Sequence, residues 1–119
     1  MNQFLHAEIK EKKYGTIIAL SGILSRATHK KLSFIFKEVV TDDLQHFALD
    51  LSKLEYMDAK GLEVIAGFLD VLKKKKIIMY AFGMNIEIYD ILDMVDSARG
   101  ITLVKSEKEF RKAISKALT

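Results

Sequence analysis

The stretch at residues 47–61, FALDLSKLEYMDAKG, constrains the fold of this chain more than any other part of it. Phe47, Leu49 and Leu51 alternate with small or polar residues, the period of a β-strand with a buried face. A strand is therefore expected over residues 46–51, followed by a polar turn. Asp58 and Gly61 then form an Asp-x-x-Gly step that opens a helix over about residues 60–74, with Leu62, Ile65, Phe68, Leu69 and Leu72 on one broad stripe. A strand that feeds such a helix closes onto a second, parallel strand. The fully apolar run at residues 77–82 has the composition of a strand buried on both faces and supplies it.

The rest of the chain extends the same pattern. Residues 4–11 and 16–20 read as strands joined by a hairpin at Tyr14-Gly15, and Gly22 marks the exit from the second. Leu32, Ile35, Phe36, Val39 and Val40 recur at helical spacing, so a helix is expected over residues 26–40, ending before the Asp42-Asp43 turn. Asn85 is placed to cap a helix over residues 86–95, whose Ile88, Ile91, Leu92 and Val95 face inward. A short strand at residues 102–104 follows Gly100. Ser106-x-x-Glu109 then has the form of a capping box before a last helix that buries Phe110, Ile114 and Leu118. The order is β-β-α-β-α-β-α-β-α, which predicts an α/β domain: an N-terminal β-hairpin leading into a mostly parallel mixed sheet with about four helices. Gly67 lies inside the second helix, where glycine costs about 1 kcal/mol against alanine. A close approach of another backbone is the expected reason.

At 119 residues the chain fits one domain, residues 1–119, with one hydrophobic core. It has no cysteine, which removes disulfides, thiolate metal sites and cysteine nucleophiles, and it has no proline, so its turns rely on Gly, Asn, Asp and Ser. No apolar run approaches the roughly 20 residues that span a bilayer, so a cytoplasmic protein without membrane insertion is expected. The net charge of +3 is concentrated in runs such as residues 10–13 and 73–76. The second run falls at a helix end, where lysines oppose the helix dipole, and neither run has the interleaved aromatics of a nucleic-acid footprint. No direct nucleic-acid partner is expected.

Residues with recognisable chemistry are few. His6, His29 and His46 are scattered without metal-ligand spacing, so no metal site is expected. Phosphate-binding glycine loops and nucleophile elbows are absent, and no nucleophile–base pair stands out, so neither an enzyme nor a cofactor is expected. Glu87, Asp90 and Asp93 form an acidic row opposite the apolar stripe of their helix, read as a solvated face or as a docking surface for a basic partner. Asp58 belongs at a helix N-cap, and Ser25 reads as a cap for the first helix.

The strand order, the glycine before the first helix, the strand leading to Met57-Asp58 and the following Gly61-Leu62 together resemble the STAS family, which includes bacterial anti-sigma-factor antagonists and domains of sulfate transporters. The resemblance covers nearly the whole chain. In regulatory members the signature reads Asp-Ser-Ser-Gly or Asp-Ser-Thr-Gly, and the residue after the aspartate accepts the phosphoryl group that switches the protein. That position is Ala59 here, which cannot be phosphorylated, and Lys60 replaces the second hydroxyl residue. Where the family commonly reads Gly-x-Leu-Asp, this chain reads Gly22-Ile23-Leu24-Ser25. The resemblance implies that Ser25, Arg26, Thr28, Asp58, Ala59, Lys60, Gly61 and Glu63 bind a protein partner. Two departures at one site fit abandoned phosphorylation better than a relocated acceptor, for which Ser25, Thr28 and Ser52 are the available hydroxyls. The expected partner is a kinase-fold anti-sigma factor, docked through the loop after the third strand and not phospho-switched at the usual position. The alternative is a STAS subunit of an ABC-type lipid or solvent transport complex that contacts the ATPase subunits. A small ligand such as a nucleotide or acyl chain is a third possibility that no residue singles out.

Overall fold

Apolar alternation and a glycine turn place strand β1 (Leu5–Lys12) antiparallel to β2 (Gly15–Leu24), with Lys12 opposite Gly15 at the hairpin. The computed structural model describes residues 4–94 and 100–117. Helix α1 (His29–Val39), strand β3 (Phe47–Met57), helix α2 (Ala59–Lys74), strand β4 (Met79–Phe82), helix α3 (Ile86–Met94), strand β5 (Ile101–Leu103) and helix α4 (Glu107–Ala117) follow. The five strands form one sheet in the order β1-β2-β3-β4-β5, parallel except for the first pair. This is the mixed α/β architecture that the strand–helix alternation predicts.

Alternation along the strands sorts side chains to the two faces of the sheet. Ile18, Leu20, Leu49 and Leu51 pack against α1, α2 and α3 in the larger core. Ile17, Ala48, Tyr80 and Phe82 point the other way and are covered by Phe110 and Ile114 of α4. In the larger core the rings of Phe36 (α1) and Phe68 (α2) stack with centroids 3.8 Å apart, and Phe47 (β3) meets Phe68 edge-on at 5.1 Å. Tyr14 ties the hairpin to α4: its hydroxyl donates to Glu107, its ring meets Phe110 edge-on, and the Arg111 guanidinium lies 4.7 Å from its centroid.

Several expected boundaries move. The two central strands run further than the sequence indicates, so Gly22 lies within β2 and residues 52–57 are strand, not a polar turn. Two register shifts explain this, because Ala19 faces Asp50 but Ser21 faces Lys53, and Gly22 faces Leu54 but Ile23 faces Tyr56. Each shift inserts an extra residue into β3, so its buried positions become Leu51, Leu54 and Met57, a period of three that does not read as a strand. Gly22 has φ +93° at this irregularity, and a Cβ there would stand 2.5 Å from the carbonyl oxygen of Phe4. Helix α1 starts at His29, three residues later than expected, and β4 and β5 differ from expectation by one or two residues at an end. Val95 and Leu118, expected to face inward, lie outside the described residues.

Gly67 contradicts the expectation of a close backbone approach: it is exposed, and a Cβ there meets nothing within 4 Å. Only the helix-propensity penalty then remains. Gly67→Ala is expected to stabilise the protein by about 1 kcal/mol, raising Tm by roughly 4 °C in a thermal melt. A lower Tm would show that the helix does not tolerate a methyl group on that face.

Candidate functional site

Asp58 is the N-cap of α2, in an extended conformation, and its Oδ1 accepts the Gly61 backbone N–H at 2.9 Å. Its other oxygen, Oδ2, accepts the N–H of Arg26 at 2.9 Å, across 32 positions of sequence. The Asp58 backbone N–H in turn donates to the carbonyl of Leu24 at 3.2 Å. One carboxylate thus caps a helix and fixes the loop between β2 and α1 against it. Partial burial pushes the Asp58 pKa up, but the N–H groups of Gly61, Arg26 and Lys60 together outweigh this and hold it below the ordinary aspartate value.

The sign of the resulting pH dependence follows from linkage. A depressed folded-state pKa means that the unfolded chain binds more protons between the two values, so stability there rises with pH. The contribution is complete above the unfolded pKa of about 4 and disappears as the pH falls through the folded value. Asp58→Asn is expected to remove this part of the acid arm in denaturant titrations at successive pH values. An acid arm identical to wild type would show that the carboxylate is not held in its charged form.

Gly61 is buried, and its size matters here. A Cβ would lie 2.6 Å from Leu24 Cγ and 2.9 Å from the Leu24 carbonyl oxygen, so only glycine lets the first turn of α2 rest on the end of β2. Ala59, the first residue of α2, is exposed, with its methyl group at the head of the helix. Lys60 and Glu63 point outward and pair at 3.4 Å.

The loop at residues 25–28 is a hydrogen-bonded turn, not the start of a helix. Ser25 is 3% exposed. Its carbonyl accepts from the N–H groups of Thr28 and His29, and its Oγ accepts from the Ala27 N–H at 3.2 Å. The expected Ser25 cap is therefore incorrect. Thr28 occupies the N-cap position of α1 without a side-chain cap bond, because its hydroxyl accepts from the Ser25 N–H at 2.9 Å and donates to the Ile23 carbonyl at 2.7 Å. Ser52, on β3, donates to Asp50 Oδ1 at 2.7 Å.

Ser25, Arg26, Ala27, Tyr56 and Asp58 line an open cleft of about 350 Å³. The fold thus brings together the β2–α1 loop and the head of α2, which supply all the residues expected to bind a partner. Tyr56 and Ala27 carry no motif that marks them in the sequence. Tyr56 is 50% exposed at the end of β3, where the register shift turns its ring outward. Asn85 caps α3 by accepting the Ile88 N–H, and its Nδ2 reaches the carbonyls of Leu54 and Glu55, which holds the start of α3 beside this end of β3. Ile86 and Tyr89, 70% and 40% exposed, stand on the first turn of α3 with Glu87, and the acidic row continues along the helix through Asp90 and Asp93. A larger cavity of about 560 Å³ lies elsewhere, lined by hairpin residues such as Glu11 and Lys12 and by Glu38 and Asp43. Among the described residues, no group of three His, Asp or Glu side chains is placed to hold a metal ion, and no helix is long and apolar enough to cross a membrane.

A family model described as STAS domain matches residues 6–110. Among solved structures, an anti-sigma factor antagonist from Mycobacterium paratuberculosis is 20% identical, with a TM-score of 0.74 over 93% of this chain and 94% of the other. The Bacillus cell fate determinant SpoIIAA in its phosphorylated form is 10% identical, with a TM-score of 0.70 over 91% and 99%. The murine solute carrier 26 family member A9 anion transporter is 13% identical, with a TM-score of 0.75 over 90% of this chain and 18% of the transporter. At these identities the likeness establishes a common fold. No curated protein matches the sequence.

Proposed function

Since this chain belongs to the STAS domain family, we propose that it is a non-catalytic protein-binding module of the anti-sigma-factor-antagonist type that docks a kinase-fold anti-sigma factor and has no phosphoryl switch at the usual position. The supporting observation is the exposed methyl group of Ala59 at the head of α2, beside the capping carboxylate of Asp58 and the half-exposed ring of Tyr56. Apolar side chains ringed by charges are the composition of a protein interface core and its rim. Tyr56, Ile86 and Tyr89 would form the core, with Arg26, Asp58, Lys60 and Glu63 around it. A hydroxyl at position 59 would admit about two negative charges beside Asp58 and break such a complex; a methyl group keeps the surface permanently competent. Release then depends on abundance or competition.

The test has two parts. Incubation with ATP and the cognate kinase should give no phosphate mass increment on the peptide spanning residues 56–63, nor at Ser25, Thr28 or Ser52, whose hydroxyls are already engaged within the fold or with Asp50. Asp58→Ala combined with Lys60→Glu should weaken the complex several-fold or more in a titration. A phosphate at any of these positions, or an unchanged affinity, would overturn the proposal. The same methyl group suits a second reading, a fixed subunit that contacts the ATPase of an ABC-type lipid or solvent transporter, because a permanent subunit needs no phosphoryl release. Co-purification from the native cell separates the two, since a sigma-regulating kinase supports the first and an ABC ATPase the second.

A further inference from the structure

The charge of this protein is segregated in space. Residues 100–119 hold five Lys and Arg against two Glu, which equals the entire net charge of +3. Residues 10–13 hold three Lys against one Glu, and a third basic run, residues 73–76 at the end of α2, holds four Lys, so the remainder of the chain is net negative by six charges. The fold brings the first two basic segments together. Tyr14 meets Glu107, Phe110 and Arg111, and Lys10 pairs across the hairpin with Ile17, which lies under Phe110 and Ile114. Helix α4 buries its apolar side on the sheet and exposes Lys108, Arg111 and Lys112, with Lys12 and Lys13 at the adjoining turn.

We propose that the outer face of α4 and the β1–β2 turn form an electrostatic docking surface for an anionic lipid bilayer, distinct from the protein-binding site around Asp58. Charge complementarity carries the choice of occupant. Lysines on an amphipathic helix are attracted by the negative potential of anionic headgroups, a diffuse field that does not require each cation to meet its own phosphate. A single nucleic-acid strand is held in a groove of continuous positive charge with aromatic side chains on which its bases stack. Glu11, Glu107 and Glu109 interrupt the cations here, and the aromatic ring among them, Tyr14, is engaged by Glu107 and Arg111. The apolar side of α4 is held in the core, so attachment is superficial, reversible and sensitive to salt.

The test is co-sedimentation of the full chain with phosphatidylcholine vesicles containing about 30% phosphatidylglycerol, against pure phosphatidylcholine, at salt of about 50 and 300 mM. Binding is expected only to the anionic vesicles and should fall about tenfold or more at the higher salt. Lys108→Glu with Lys112→Glu should reduce it by about tenfold or more. Lys30→Glu with Lys37→Glu, an equal charge change on α1 across the sheet, should leave it within about twofold. Lys10→Glu with Lys13→Glu repeats the test on the hairpin should the α4 pair disturb folding, which circular dichroism reports. Failure to bind anionic vesicles, equal losses in the α1 and α4 pairs, or tighter binding to a short DNA duplex than to the vesicles would each overturn the assignment. None of these readouts depends on the partner of the Asp58 surface.

Discussion

Ala59→Glu is expected to weaken the proposed partner complex by about a hundredfold while leaving the fold at least as stable as before. The two effects have opposite signs for a physical reason. Position 59 is the first residue of α2, where a carboxylate interacts favourably with the helix dipole, typically by a few tenths of a kcal/mol. Its side chain is exposed and displaces nothing. Within a complex the same carboxylate would be desolvated beside Asp58, and like charges brought together at an interface cost several kcal/mol. Two measurements check this: a denaturant midpoint equal to or slightly above that of the wild type, and a titration against the partner with Kd raised about a hundredfold. Ala59→Ser serves as the companion variant, adding a hydroxyl without charge; its affinity should stay near wild type until phosphate is attached. If Ala59→Glu binds as well as the parent, the head of α2 is not the docking surface and the proposed function loses its main support.

Phe68→Ala should produce the largest loss of stability, about 3–5 kcal/mol, as is typical for truncating a buried aromatic. Phe68 is 6% exposed and stacks on Phe36 while meeting Phe47 edge-on, so its ring joins α1, α2 and β3 in the larger core. Removing it leaves a void that these backbones cannot fill without moving. Against a total stability of about 5–15 kcal/mol, the loss brings the protein close to its unfolding threshold at ambient temperature. The urea midpoint should fall accordingly, with the m-value unchanged. Phe34→Ala is the control, because Phe34 lies on the same α1 helix but is 63% exposed and should change stability by less than about 0.5 kcal/mol. A loss below about 1.5 kcal/mol for Phe68→Ala would mean that the ring cluster packs loosely.

The legibility of the chain divides according to the range of the forces involved. Helix caps depend on groups within one turn of each other, so Asp58, Asn85 and Ser106 are legible as caps from the sequence alone, and each accepts the expected backbone N–H. The Ser106–Glu109 box is half formed, since the Glu109 carboxylate pairs with Lys112 at 3.7 Å. Alternating and helical periods likewise announced the order of elements and the parallel sheet, because burial of one face imposes them residue by residue. The same rule failed at residues 52–57. Two extra residues in β3 turned a period of two into a period of three, and a bulge is defined by the neighbouring strand, which a single segment does not contain.

Distant partners settled the rest. Ser25 carries a capping side chain, yet Thr28 and the Ile23 carbonyl draw the loop into a turn that delays α1 by three residues. Gly61 and Gly67 are indistinguishable as letters; contact with Leu24 makes the first indispensable, and open space makes the second replaceable. The second hydrogen bond of Asp58, to Arg26, and the meeting of Tyr14 in the hairpin with α4 join segments about 30 and 100 residues apart. Local composition therefore specified which elements form and where the head of α2 lies. Packing between remote segments decided which side chains surround it, because side-chain periodicity encodes the face a residue takes and carries no information about what that face will meet.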